Sequence, residues 1–416
     1  MPVKPRTIKL LAGFAGFFVC GLEAYGFEST RTLPQGVRNI NFKNVTTSMS
    51  EKTDADGNTL PLSEPMEKNF TFRHAISGES NPNKVNQIKA FLAKEVGTVD
   101  IDDSLGVFSA DLNAAVDVFA PVFAFGLTEN ITVAVATPIY HMTTNAKMSF
   151  SPNNAKVEQA LGILADDMRQ HGNAAEIHSK LNNAVGEIYT KLEDNGFEPL
   201  GPWEETGLGD ITLAVKHRTY QSDVFTFAYQ TGVVLPTGEV DDPDILTDLP
   251  RGDGQPDLFF QATFDEPLGN HLMFNQYAKY TYQHKGRKTI RLATELESIN
   301  VDKAEVDFKL GDKIDAGTSL MWSPPSGYIA GVGAVFHKKY GDRFNKVNDD
   351  VEGWITRESE KEATFGEVRV GYSTVQAYQR GDFAVPFSVN LDYKTLISSR
   401  NMPLASLITL DFNVFF

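Results

Sequence analysis

The side chains of this chain that could do chemistry are few and dispersed. Its one cysteine, Cys20, stands alone in the N-terminal segment, so no cysteine metal set exists. There is no His-Glu-x-x-His pair of zinc ligands, no phosphate loop and no Gly-x-Ser-x-Gly nucleophile elbow. The eight histidines are scattered. His217 and His271 fall in runs with strand periodicity, His171 and His178 in a run with helical periodicity. A lipid hydrolase would need a serine and a histidine close together near a membrane rim. His217 is the candidate for that role, and a histidine lining a pore or an interface is the simpler reading. Asp241, Asp242, Asp244, Asp248 and Asp253 offer hard oxygen ligands that suit calcium. Their spacing departs from the regular calcium loop, and a solvated loop accounts for them. The expectation is a protein with no catalytic residue, no metal site and no cofactor.

What the chain has instead is a repeated amphipathic element. Ile211, Leu213 and Val215 alternate with Thr212, Ala214 and Lys216 along residues 203–221. After a tight turn at Gln221-Ser222-Asp223, Phe225, Phe227, Tyr229, Thr231 and Val233 alternate with Thr226, Ala228, Gln230 and Gly232. A long acidic loop, 238–256, leads to a strand at 257–265, a turn at 267–270 and a strand at 271–283. Period-two alternation is the strand signal. Tight turns at one end and long loops at the other mark an outer-membrane barrel.

The same pattern extends both ways: a first strand at 37–50, strands at 108–126 and from 131 joined at 126–130, then 304–323, 328–338 and 363–379. After a turn at 380–382 the chain ascends again from Phe383, and it closes on 404–416. The fold class expected is all-β, a transmembrane antiparallel barrel of about twelve strands, an even number that puts both termini in the periplasm. A soluble chain of 416 residues would divide into domains, but no Pro/Ser linker or charge block divides this one. A 41% hydrophobic content suits a barrel, because only alternate residues face lipid. No run of about 20 apolar residues could cross a membrane as a helix.

Three stretches break the alternation. Residues 53–104 are a polar excursion with an expected short helix at 84–96 and a strand extension at 66–76. Pro121, inside a strand, predicts a bulge or a position near the rim. Residues 151–199 form a helical insert in an outer loop, with Leu161, Leu164, Met168, Leu181, Val185, Ile188 and Leu192 at three- and four-residue spacing. A one-sided apolar stripe needs a partner. Either the two helices pack on each other in a surface loop, or they fold as a lid over the pore mouth.

Lys4, Arg6 and Lys9 followed by the apolar run 10–22 and by Ala24-Tyr25-Gly26 read as a signal peptide, residues 1–26, cleaved after Gly26. The barrel is then 27–416. The formal charge is −16; three cations and one anion lie in residues 1–26, so the remainder carries about −18. Such a surface repels nucleic acid, which is set aside as a partner. Acidic loops suit an outer-membrane lipid surface where divalent cations bridge carboxylates to lipopolysaccharide phosphates; charge that keeps long loops soluble accounts for them equally. In the closing strand Ile408, Leu410, Phe412, Val414 and Phe416 share one face and Thr409, Asp411 and Asn413 the other. A closing strand with a terminal aromatic on its lipid side is what the barrel-assembly machinery of Gram-negative outer membranes reads. Phe412, Val414 and Phe416 are the expected assembly signal.

Three short motifs, Gly207-Leu208-Gly209-Asp210, Leu235-Pro236-Thr237-Gly238 and Gly252-Asp253-Gly254-Gln255-Pro256-Asp257, together with the turn Phe125-Gly126-Leu127-Thr128-Glu129, resemble those of one family. It is the outer-membrane barrel family named for the MetA pathway of phenol degradation. The resemblance covers about half of the mature chain, residues 116–283, and weakens towards the C-terminus. It implies an outer-membrane barrel that passes or binds small hydrophobic compounds, and it brings no catalytic residues. The helical insert and the long first loop depart from the family. Read physically, the motifs are structural punctuation: glycines that let the backbone enter a strand, and a proline that ends one.

Together these features point to a passive outer-membrane channel for small hydrophobic or aromatic solutes. Gln230, Gln261, Lys279, Asn390 and Asp392 are the expected lumen lining, with selectivity set by lumen polarity. The alternative is a non-conducting surface barrel, an adhesin or structural protein acting through its long outer loops.

Overall fold

Side chains that alternate along each strand fall on opposite faces of one closed sheet in the computed structural model, which describes residues 27–71, 102–153, 183–294 and 302–416. In chain order the strands are β1 (Arg38–Met49), β2 (Glu51–Thr53), β3 (Thr59–Pro61), β4 (Lys68–Thr71), β5 (Ser104–Thr128), β6 (Ile131–Ala136) and β7 (Ile139–Pro152). Helix α1 (Ala184–Asp194) precedes β8 (Pro202–Leu208), β9 (Ile211–Gln221), β10 (Thr226–Leu235), β11 (Asp257–Pro267), β12 (Leu272–Gln283), β13 (Gly286–Arg291) and β14 (Lys303–Lys309). The remainder is β15 (Lys313–Trp322), β16 (Tyr328–Lys339), β17 (Arg343–Asn345), α2 (Asp349–Ile355), β18 (Lys361–Ser373), α3 (Val375–Gln379), β19 (Phe387–Arg400) and β20 (Ser406–Phe415).

Antiparallel pairing runs β1-β20-β19-β18-β16-β15-β12-β11-β10-β9-β6-β5, and β5 pairs with β1 in turn, so the sheet closes with 12 strands. β7 and β8 continue β6 and β9 beyond a break, along the second edge of β5. Closure removes every sheet edge inside the bilayer, where an unpaired amide has no water to bond. The pleat then sorts the side chains. On β11, Leu258 and Phe260 stand 52% and 51% exposed on the outside, while Phe259 and Gln261 between and after them are 5% and 4% exposed on the inside. Short turns follow β5, β9, β11 and β15, at the same end as Phe416 and the start of β1, which is the periplasmic end. A charge on the outer face should show the depth of the bilayer. Val332→Arg, midway along β16, is expected to cost about 2–4 kcal/mol and Tyr328→Arg, at the inner end, about 0–1, by urea unfolding in vesicles.

Several strands expected as continuous are broken. The run 203–221 divides at Gly209-Asp210, and the run from 131 divides at Thr137-Pro138. These breaks lie side by side. Pro121 is neither a bulge nor at the rim: β5 keeps its register with β1 through it, and its carbonyl accepts the Thr137 amide at 3.1 Å, across from the break. The run 304–323 divides at residues 310–312. Val306 and Phe308 are buried in an outer cap, while Ile314 and Ala316 lie on the lipid side of β15. The cap is the three-stranded sheet β13-β14-β17 with α2, closed over Ile290, Val306, Phe308, Leu310 and Phe344. At the inner end, 375–379 is helix and β19 begins only at Phe387, so Phe383 and Val385 belong to the turn. Of the expected strand extension at 66–76, residues 68–71 form β4, which pairs with β5, and 72–76 lie outside the described residues. Of the insert, α1 and its flanks are described, with Leu192 buried. The signal segment, the helix at 84–96 and the run 154–182 lie outside the described residues.

Candidate functional site

The inward face of the barrel carries buried charges beside one apolar cluster, which begins on β1, β5 and β7 and takes in Tyr277, Val335 and Phe365 across from them. β1, β5 and β7 contribute Val45, Met49, Leu112, Val116, Val118, Tyr140 and Met142, all buried, and Leu249 from the loop 236–256 packs among them. The wall from β11 to β19 carries Asp257, Lys279, Asp315, His337, Glu367 and Lys394, also buried. Buried charges persist only when paired. His337 Nδ1 lies 2.7 Å from Asp315 Oδ1, Lys43 Nζ lies 3.7 Å from Asp411, and the Lys279 and Lys394 ammoniums sit over the Phe259 and Phe365 rings at 4.7 and 4.5 Å. The pairing register sets Gln230, Gln261, Lys279, Asp315 and His337 side by side on successive strands. Asn390 and Asp392 lie on another part of the wall, where Asn390 stands opposite Asp411 and Asp392 accepts two bonds from Arg369, at 2.6 and 2.5 Å. All five residues singled out from the sequence therefore have inward positions, in two separate groups.

Sequence periodicity gave no hint of the next element. Residues 27–36, ahead of β1, run inside the barrel at its periplasmic end. The Gly36 amide donates to the Gly126 carbonyl at 2.8 Å and the Leu33 amide to Thr132 Oγ1 at 2.8 Å. Lys216 Nζ donates to the Ser29 carbonyl at 3.0 Å and lies 3.8 Å from the Glu28 carboxylate. The amide and hydroxyl of Thr30 both donate to Asp265, at 2.9 and 2.7 Å. The Arg369 guanidinium stacks 4.5 Å from the Phe27 ring. The contacts thus pass from β6 through β9 and β11 to β18, and the segment is a strap across the lumen. Gly126 is needed for it, since a Cβ there would lie 2.0 Å from the Pro34 carbonyl oxygen. The small inward residues Thr132, Ala134 and Ala136 leave it room.

The three family-like motifs, far apart in sequence, meet at the broken strands. Asp210 is buried and accepts the amides of Gly238, at 2.8 Å, and Asp253, at 3.4 Å. Thr237 Oγ1 donates to the Gly209 carbonyl at 2.9 Å and accepts the Ile211 amide at 3.0 Å. Arg251 pairs with both Glu205 and Glu239. Gln283 Nε2 donates to Asp253 and Asp257, at 3.0 and 3.1 Å, and the Leu310 amide donates to the Gln255 side chain at 3.3 Å. Gly209 is needed because a Cβ there would sit 2.3 Å from the Tyr140 ring. The motifs are thus one polar knot that pins the loop 236–256 across the break.

Nor is that loop merely solvated. Asp241 pairs with Lys288 at 2.9 Å, and Asp244 with Arg291 at 2.6 Å and with Lys303, which ties the loop to the cap. Between loop and cap lies a cavity of about 160 Å³, lined by Ile290, Leu310, Phe344 and Trp354 and by Asp248, Lys339 and Lys361. Burial pushes the Asp248 carboxyl up to about 6, with Asp241, Glu205 and Asp242 adding repulsion. A carboxyl raised from 3.8 binds its proton more readily in the folded cap than in the unfolded one, so the stability it contributes is full below about 4 and lost as pH rises through about 6. The half-buried position limits the effect to under about 2 kcal/mol. The protection of the amides of residues 239–250, taken relative to the intrinsic exchange rate at each pH, should fall between pH 4 and 7 in the wild type, and Asp248→Asn should flatten that fall. His217 is on the outward face, its Nδ1 3.0 Å from the Tyr229 hydroxyl. Phe412 and Phe416 are exposed there as well, and Phe416 exchanges backbone bonds with Arg38 at 2.8 and 3.0 Å.

No protein-family model matches the chain, and no curated protein matches it. Among solved structures it is similar to an outer membrane channel from Pseudomonas putida F1, with 11% identity over 94% of this chain and 100% of that one and a TM-score of 0.52. A FadL homologue from Pseudomonas aeruginosa is matched over 99% of this chain and 98% of its own, at 8% identity and a TM-score of 0.35. At these identities the first likeness is one of fold and the second carries no weight. Closed sheet, apolar outer face and shared fold together make the chain an outer-membrane β-barrel.

Proposed function

We propose that the protein is a passive outer-membrane channel for small apolar or aromatic solutes. The observation that carries the reading is the mixed inward face: an apolar cluster that begins on β1, β5 and β7 and takes in Tyr277, Val335 and Phe365 lies beside the buried charges of β11 to β19, so an apolar body meets apolar surface next to polar groups. Gln230, Gln261, Lys279, Asn390 and Asp392 are among those polar groups. The fold-level likeness to an outer membrane channel and the resemblance of the motifs to the MetA-pathway barrels support the same reading. The strap across the inner end favours a second reading, a non-conducting surface barrel. Uptake separates the two. In Gram-negative cells whose lipopolysaccharide slows apolar solutes, expression should raise the initial uptake rate of labelled toluene and leave glucose uptake unchanged; unaltered toluene uptake at normal surface levels would sink the channel.

Assembly follows the closing strand. Phe412, Val414 and Phe416 form the signal read by the assembly machinery, with residues 1–26 removed beforehand as the signal peptide. Deletion of Phe416 is expected to leave most of the protein in the periplasm by cell fractionation, and wild-type outer-membrane levels would remove that role.

A further inference from the structure

The three-stranded sheet of the cap has an outer face, turned away from the apolar cluster it closes over. Phe308 and Phe344 pair and point into that cluster, so Lys309 and Arg343, the next pair along, share the opposite face. Lys285 comes to the same place: Gly286 pairs with Phe308, and Lys285 precedes it, beside Lys309. The three cations stand in a row across strands about 4.8 Å apart, with Arg287 and Lys346 flanking them. The carboxylates of this face are Glu305, Asp307 and Asp312, and each is engaged. Arg287 and Lys346 hold Asp307 at 2.9 and 2.7 Å, and Arg287 lies 3.9 Å from Glu305. Asp312 accepts from Lys309 at 3.1 Å, the Tyr280 hydroxyl at 2.6 Å and the Gln283 amide at 3.1 Å. Asp342, next to Arg343, turns inward to Lys339. Lys285 and Arg343 are exposed and have no ion pair among the described residues. Five cations thus meet three carboxylates on this face, in a chain of formal charge −16. The excess ends at β16, where Glu360 and Glu362 share Lys338.

The row lies where the wall leaves the bilayer. On the lipid face of β12, side chains run from Leu272 at the inner end to Tyr280 and Tyr282 at the outer, all exposed. At about 3.4 Å per residue and a tilt of about 40°, the strand climbs about 26 Å from Leu272 to Tyr282, which is the height of the apolar band. Tyr280 and Tyr282, with exposed Tyr340 just past β16, are therefore the outer aromatic girdle, at head-group level. The Lys309 ammonium lies 4.5 Å over the Tyr282 ring. We propose that Lys285, Lys309 and Arg343 dock the phosphates of the outer-leaflet glycolipid, lipid A, whose acyl chains then lie along the apolar faces of β12 and β15. Recognition is direct: ammonium and guanidinium groups donate charge-assisted bonds to phosphate oxygens, with no divalent cation between them. Inner-leaflet phospholipid is at the far end of the barrel from this row. The proposal rests on the barrel and its orientation, and conduction plays no part in it.

The test is native mass spectrometry of the purified full-length barrel in detergent, with a metal chelator present. Four probes are compared: lipid A carrying both phosphates, the same lipid with both removed, phosphatidylglycerol and inorganic phosphate. Lipid A should give one saturable adduct and bind at least about thirtyfold more tightly than its phosphate-free form and about fivefold more tightly than phosphatidylglycerol. A cation beside an anionic lipid surface is worth about fivefold, so Lys285→Gln combined with Arg343→Gln should weaken lipid A about thirtyfold and leave the phosphate-free lipid unchanged. Neither side chain holds another, so heat-modifiable migration of that variant should match the wild type. Arg218→Gln, which removes a cation at the periplasmic end, should change no adduct. Inorganic phosphate at the concentration of the lipid should not displace it. Equal binding of the phosphate-free lipid or of phosphatidylglycerol would overturn the proposal, as would displacement by that phosphate, no adduct under chelation, or unchanged lipid A binding by the double variant. Toluene uptake is read separately, so loss of the channel reading leaves this site standing and the reverse holds too.

Discussion

Deleting residues 27–35 should raise single-channel conductance in planar bilayers several-fold and leave the barrel folded. The strap that these residues form crosses the lumen at its periplasmic end, held by hydrogen bonds to Asp265, Lys216 and Thr132 and by Phe27 against Arg369. The wall ladder is independent of it: none of the strand pairs that close the barrel uses a residue before Arg38. Heat-modifiable migration on gels should therefore be kept. The smaller variant is Asp265→Ala, which removes the acceptor of both Thr30 bonds and of the Asn275 side chain at 2.6 Å. Hydrogen bonds to a charged group are worth about 1.5–3 kcal/mol each, enough to turn a fixed strap into one that opens a visible fraction of the time. Flickering conductance is the expected record. A deletion variant with the wild-type conductance, correctly inserted, would show that the strap does not limit the path.

The barrel was legible in the sequence because its rule is local. Alternation in the runs around Val215, Val233 and Phe260 is imposed by lipid on one side and lumen on the other, and each strand carries the rule by itself. The breaks were not legible: Ile139 keeps the outward parity of Ile131, Val133 and Val135 across Thr137-Pro138, and at Gly209-Asp210 the outward set does shift from Leu208 to Ile211, but the polar run 202–206 carries too little apolar contrast to show it. The cap was missed for a related reason: Val306 and Phe308 alternate like barrel residues although they bury against Ile290 and Phe344 instead of facing lipid. The strap has no period at all. Its signal was indirect, in the small residues Thr132, Ala134 and Ala136, which leave space on the inner wall for something to fill. Inward residues could be chosen by parity, as Gln261 and Lys279 were, but their grouping into rows depends on register between distant strands. Lys313, Lys339 and Lys361 stand in one row by that register alone.

The knot that joins the three motifs is the part of the wall most exposed to a single substitution. Asp210→Ala takes the acceptor from the Gly238 and Asp253 amides at the point where β9 begins. Part-buried amides that lose a carboxylate acceptor cost at most roughly 1–3 kcal/mol each, so the loop 236–256 should lose up to about 2–6 kcal/mol of its hold on the barrel. The loop also brings Arg251 against Glu205 and Leu249 into the apolar cluster, and both contacts go when it lifts. Release should stay local, because strand pairing on either side of the break does not depend on Asp210. On intact cells, then, protease added outside should cut the variant between residues 239 and 250 while the barrel stays heat-modifiable and the wild type stays whole. Asp210→Asn keeps one carboxamide oxygen in place and should show about half the cost. Equal protease resistance of wild type and Asp210→Ala would mean that the salt bridges of Asp241 and Asp244 to the cap hold the loop without the knot, and Lys288→Met with Arg291→Met would then be the pair that frees it.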